Sequence, residues 1–304
     1  MHTMTRTITV GLDGSPESRA AAEWAAREAA LRGLPLRLLH VWQPVPGPAA
    51  EAAVSGAETQ AHWSERVPRE AAEELRLRHP GVEVTHEQVS GRPHEVLVKA
   101  AEDAEVLVLG SRGLGAIGGF LVGSVGLLVV ARAERPVVLV RAGGQAADEH
   151  EPDRMGISSA ATPYRPVLLG LDAGKPHDPV IEFAFAEAAR RDTALRVVHG
   201  WALPPYYVYG LAAAPEVYHD VERQQAETLT QVLAPWREKF PQVEVVEEAF
   251  GGSPSVRLVE NSAQASLVVV GRRIRRTPIG AHIGPVAHAV MHHCAAPVAV
   301  VAHA

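Results

Sequence analysis

Val106-Leu107-Val108-Leu109-Gly110-Ser111-Arg112-Gly113-Leu114-Gly115-Ala116-Ile117-Gly118-Gly119-Phe120-Leu121-Val122-Gly123-Ser124 is the stretch on which the reading of this chain turns. It opens with an apolar, partly β-branched run of the kind that forms a strand buried on both faces. The run stops at Gly110, and six glycines fall from Gly110 to Gly123 inclusive, a density that no regular element tolerates. The chain then turns apolar again through Leu127, Leu128, Val129 and Val130, with Ser124 placed to cap a helix. Strand, glycine-rich loop and helix N-terminus come in that order, so backbone N–H groups and the helix dipole can converge on an anion. The same glycines would also suit a plain surface loop. No Gly-Lys-Ser/Thr closes the loop as in a Walker A motif, and it is not a dinucleotide fingerprint after a first strand.

Outward from this loop the chain alternates strands and helices. Thr7 to Leu12 reads as a strand ending at Asp13-Gly14-Ser15-Pro16, where Ser15 suits an N-cap and Pro16 a first helical residue. A helix runs to about Arg32 and stops at Gly33; Leu36 to Trp42 is a second strand. Residues 43–57 form a long Pro/Ala-rich loop, and Glu58 to Arg78 an amphipathic helix. A strand from Val82 to Val89, a short helix to Glu102, the glycine loop with its helix and a last strand, Val137 to Val140, complete the pattern. Such alternation predicts right-handed crossovers and an open parallel sheet with helices on both faces, an α/β fold. Ligands bind at the carboxyl ends of the strands in such sheets, where Asp13, Val41 and Gly110 would meet.

The pattern then repeats. Val167 to Asp172 matches Ile8 to Asp13 at an offset of 159 residues (172 − 13), and Val198-His199-Gly200-Trp201 matches Leu39 to Trp42 at the same offset. Leu267 to Gly271 and Pro297-Val298 match Val106 to Gly110 and Pro136-Val137 at 161 (271 − 110). So small a drift marks an internal duplication. Residues 1–143 and 164–304 are two domains, joined by a polar linker at 144–163 within a stretch, Ala142 to Arg165, that has no apolar period.

Gly110, two residues, Gly113, nine residues, Gly123-Ser124 is the G-x2-G-x9-G-(S/T) pattern of the ATP-binding universal stress proteins, and this chain resembles that family over nearly its whole length. The resemblance implies two tandem Rossmann-like domains of the adenine nucleotide alpha hydrolase-like kind. It implies ATP, with Mg²⁺ or Mn²⁺ shielding the phosphates, held by Asp13, Ser15, Val41, Gly110, Arg112, Gly113, Gly123, Ser124 and Val125. Asp13 could otherwise be a strand-end cap, and Arg112 a phosphate contact or an exposed loop charge. The implied role is regulatory, in a stress response and through a protein partner, with at most weak ATP hydrolysis, since no general base stands beside the loop. A slow ATPase or phosphotransferase, or an interaction protein that binds no nucleotide, are the alternatives.

The second loop departs from the pattern. Gly271 and Gly284 keep the outer spacing, but Ile274 replaces Gly113 and Pro285 replaces Ser124. A β-branched residue resists positive φ, and proline has no N–H to donate. Gly200 replaces Val41, and Arg272, Arg273, Arg275 and Arg276 crowd the segment. The second domain therefore reads as a degenerate site, although guanidinium forks could still hold an anion. His288, His292, His293 and Cys294 suggest a metal site only superficially, and a structural role is expected. The aromatic run Pro204 to Tyr209 is a candidate partner surface or lid.

Composition excludes several classes. A net charge of −6 gives no reason to expect nucleic acid or an anionic membrane surface. One cysteine precludes an internal disulfide and fits a reducing cytoplasm. No apolar run approaches the roughly 20 residues of a membrane span, and Met1 to Thr9 lacks a signal-peptide core.

The short apolar strands at Pro136 to Val140 and Pro297 to Val301 are expected at sheet edges, where unpaired backbone invites a partner. They could pair within one chain or across two. Dimers of the family form through this strand, and duplicated faces favour closed symmetric association, so the expectation is a homodimer. Lysine at Val137 and Val298 should then split the assembly in light scattering. A dilution-independent species of 32.4 kDa before any substitution would overturn it.

Overall fold

The structure, a computed structural model, describes residues 6–43, 54–111, 123–202, 215–275 and 283–304. The chain divides into two compact units, Met1–Gln145 and Ala146–Ala304. In the first, strands β1 (Thr7–Leu12), β2 (Leu36–Trp42), β3 (Val84–Ser90), β4 (Ala104–Ser111) and β5 (Val137–Arg141) are joined through helices α1 (Pro16–Arg32), α2 (Val54–Arg78), α3 (Pro93–Glu102) and α4 (Ser124–Arg132). The strands are parallel, in the order β3-β2-β1-β4-β5. Chain order therefore reverses between β1 and β4, with Ile8 beside Leu36 on one side and Val106 on the other.

Helices cover both faces, so the central strands hold no solvated side. Ile8, Thr9 and Val10 are all fully buried, as are Val106, Leu107 and Val108. Helix α1 lies close to the sheet because Ala21, Ala22, Ala25 and Ala29 offer little bulk, while Trp24 fills the remaining space. Its start and stop are local. The Ser15 hydroxyl accepts from the Ser18 N–H at 3.1 Å, and Gly33, in the left-handed region at φ 62°, caps the other end.

The second unit repeats this plan with β6 (Val167–Gly170), α5 (Asp178–Arg190), β7 (Leu195–Trp201), α6 (Pro215–Lys239), β8 (Val245–Gly251), α7 (Pro254–Asn261), β9 (Leu267–Arg273), α8 (Pro285–His293) and β10 (Val298–His303). Its parallel order, β8-β7-β6-β9-β10, matches the first.

The stretch read from sequence as a polar linker carries local structure. Residues 146–149 form a short 3₁₀ turn, and isolated antiparallel bridges join His150 to Tyr164 and Pro152 to Ser158. The Asp153 carboxylate accepts from the Met155 and Ile157 N–H groups at 2.8 and 2.9 Å, closing the turn in which Gly156 takes φ 81°. The segment is tied to its own unit by the Thr193 hydroxyl, which donates to the Tyr164 carbonyl at 2.9 Å. Its order comes from polar side chain-to-backbone bonds, which leave no hydrophobic period to read.

Both units bury an ion pair on the helix after the first strand. Glu187, fully buried, accepts from Arg190 at 2.5 Å and pairs with the equally buried Arg191; Glu28 accepts from Arg32 at 2.5 Å with both side chains buried. Removing one partner of such a pair strands a charge in the interior. Glu187→Ala should cost about 3–5 kcal/mol in urea unfolding, far above the roughly 0–1 kcal/mol expected for an exposed pair such as Arg66–Glu70.

Candidate functional site at the strand ends of the first unit

At the switch in strand order, the carboxyl ends of β1, β2 and β4 open into a cavity of about 260 Å³. Asp13 and Ser15 from the β1–α1 turn, Val41 from β2, Gly110 from β4 and Gly123, Ser124 and Val125 at the start of α4 all line it. Arg112 and Gly113 lie outside the described residues, as do most of the glycine-rich loop and the aromatic run Pro204 to Tyr209.

The turn after β1 is built by short polar links. One Asp13 carboxylate oxygen accepts from the Ser15 N–H at 3.0 Å and from the Ser15 hydroxyl, while Gly14 takes φ 81°. Asp13 is thus held in place at the pocket rim with one carboxylate oxygen engaged by the turn. At β4, Gly110 has a structural reason to be glycine. A Cβ there would lie 2.5 Å from the Glu17 carbonyl carbon and 2.7 Å from the Ser18 nitrogen. The first turn of α1 rests directly on the strand end.

Helix α4 begins differently from the sequence reading. Gly123 takes the N-cap position and Ser124 is the first helical residue, so the serine does not cap. The Gly123 backbone, φ −59° and ψ 155°, is open to any residue. What glycine supplies there is the absence of a side chain at the cavity wall. The N–H groups of a helix's first turn have no intrahelical acceptors, and here Ser124, Val125 and Gly126 of that turn line the cavity.

Sequence reasoning passed over Pro93 and Leu97, which add to the apolar wall, and over His40. His40 is buried, and its Nδ1 has no hydrogen-bond partner among the described residues. Burial pushes its pKa below the ordinary imidazole value, against the Asp13 charge, which raises it. Its counterpart His199 is satisfied instead: Nδ1 accepts from the Ala173 N–H at 3.3 Å, and Nε2 lies 3.0 Å from Gln225. The signal available in sequence was the repeat itself, since the two histidines match at the common offset.

In the second unit, Arg272 and Arg273 are not loop residues. Both belong to β9, and Arg272 is buried. Among the described residues no three His, Cys, Asp or Glu side chains converge to hold a metal. His288 and His292 have ring centroids 4.4 Å apart, and burial together with the neighbouring histidines lowers the His288 pKa. No described helix is long and apolar enough to cross a membrane.

Two α/β units of one topology, each with its chain reversal at the first strand, define a tandem open-sheet protein with strand-end pockets. The sequence pattern of the universal stress protein family matches residues 4–141 and again 163–302, and the chain belongs to that family. A universal stress protein of Mycobacterium tuberculosis is 34% identical over 308 residues, spanning 96% of both chains. The crystal structure of a universal stress protein from Archaeoglobus fulgidus shares the fold, with a TM-score of 0.68 at 17% identity over 98% of each chain. A universal stress protein solved in complex with cAMP aligns with 46% of this chain and 100% of its own, at 26% identity and a TM-score of 0.34.

The lowered pKa of His40 has a sign. The unfolded chain protonates this imidazole near the ordinary value of 6.5, while the folded chain resists, so below that pH the unfolded state binds more protons. His303 and His288 shift the same way. Melting temperature should therefore fall as pH drops from about 7.5 to about 5.5, and His40→Gln should lessen the fall. A flat or rising profile in the parent protein would contradict neutral burial.

Proposed function

We propose that the first unit binds ATP in the strand-end cavity and that occupancy regulates a stress response through a protein partner in the cytoplasm. One observation carries this reading: Asp13, Val41, Gly110 and the turn from Gly123 to Val125, contributed by four separate elements, line a single cavity. The chemistry of these groups suits the ligand. Val41, Leu39 and Leu97 offer an apolar wall for a base, and the Asp13 carboxylate an acceptor for a hydroxyl or amino group. The first-turn N–H groups of α4 offer donors to phosphate, beside a position where Gly123 adds no bulk. Mg²⁺ or Mn²⁺ would accompany the triphosphate and screen its charge. The residues lining the cavity bind and orient the nucleotide.

Calorimetric titration with ATP tests this reading. The parent protein should show about one tight site per chain, because Ile274, Pro285 and Gly200 remove donors, flexibility and an apolar side chain from the second unit. Gly123→Val should keep its circular dichroism spectrum, since the backbone angles there accept valine, and weaken ATP by at least about tenfold. Unchanged affinity in the folded variant would sink the site. Two equal sites would show that the second unit binds ATP as well as the first.

A further inference from the structure

The strand-end cavity of the second unit is larger than that of the first, about 350 Å³ against 260 Å³, and differently lined. Aligned at the common offset, Pro16 corresponds to Lys175, yet α5 starts only at Asp178 where α1 starts at Pro16. The turn that rests on Gly110 in the first unit is unwound in the second. The nearest neighbours of a Cβ at Gly271 would be side chains, the His303 ring at 3.1 Å and Val180 at 3.2 Å. Into the space enter Lys175 and His177 from the unwound turn, Arg273 from β9 and His303 from β10. The two imidazoles stack with centroids 3.6 Å apart.

We propose that this cavity binds a compact, multiply charged phosphate anion that carries no nucleobase, gripped by Lys175 and Arg273 and flanked by His177 and His303. The cationic groups outnumber the one acid on the wall, Asp172, whose carboxylate accepts from the Gly174 N–H at 3.0 Å. Lys175 and Arg273 are exposed and form no ion pair with a described residue, so both are available to a ligand. Several cationic groups around one cavity suit a compact anion of multiple charge such as phosphate, and the first turn of α8 lines the same cavity through Val286 and Ala287. Burial is the main cause that lowers the His303 pKa; a hydrogen bond to Ala304 raises it, and His177, Arg273 and Arg272 lower it further.

The base is excluded by the wall at β7. Where the first unit has the Val41 side chain, the second has Gly200, and a Cβ there would lie 2.7 Å from the Gly252 carbonyl oxygen and from the Pro254 ring. The backbone before α7 already fills that place. Anion binding here involves the second unit alone and stands whether or not the first binds ATP.

The test tracks histidine ring resonances of the full chain during titration with pyrophosphate, with the His303 signal assigned from His303→Asn. Pyrophosphate should shift His303 saturably, and Lys175→Ala with Arg273→Ala should weaken that binding about tenfold or more. Exchanging charge-conserving residues, Lys175→Arg with Arg273→Lys, should restore most of it. Adenosine should leave the His303 signal in place. No shift, an affinity unmoved by the alanine pair, or displacement by adenosine would overturn the proposal. Citrate binding as tightly as pyrophosphate would overturn the assignment to phosphate.

Discussion

A contact that leaves no room for a methyl group underlies the first-unit site. The Glu17 carbonyl carbon lies 2.5 Å from where a Gly110 Cβ would stand, so α1 begins against the end of β4. That approach brings the β1–α1 turn, with Asp13 and Ser15, to the same edge as Val41 and the start of α4. The alanine face of α1 permits it, because a bulkier face would lift the helix from the sheet. Gly110 therefore serves packing as well as any ligand, two constraints met by one missing side chain.

The second unit lacks this contact, and its rim differs accordingly. Its topology and buried Glu–Arg pair are retained, but the helix begins later and the freed turn carries Lys175 and His177 to the strand ends. Duplication preserved the sheet because every central strand is buried on both faces, where most changes in volume are costly. The rim was under no such restraint, and its chemistry moved from apolar and glycine-lined to cationic.

Elements with strong local signals were legible in the sequence. Thr7–Leu12, Pro16–Arg32 and Leu36–Trp42 have the bounds that hydrophobic runs, an N-cap serine and a left-handed glycine announce. The offset of 159 to 161 residues made the duplication plain, and the alternation of elements made the parallel sheet plain. The order in residues 146–165 was hidden because it rests on bonds from Asp153, Thr193 and Arg165 to backbone groups, which show no period. Ser124 misled for a related reason: serine and glycine both suit an N-cap, and only the folded backbone shows which one occupies it.

The sequence by itself determined the fold class, the two-fold repeat, the family and the residue types at the strand ends, because burial and backbone conformation act locally and leave periodic traces. Tertiary structure alone decided which of those residues share a cavity. It also decided that Gly110 is fixed by a helix nearly a hundred positions earlier, that Arg272 is interior while Arg273 is exposed, and that His303 meets His177. These are contacts between residues distant in sequence. Their energies depend on how far the backbones approach, and no periodicity along a single chain records that distance.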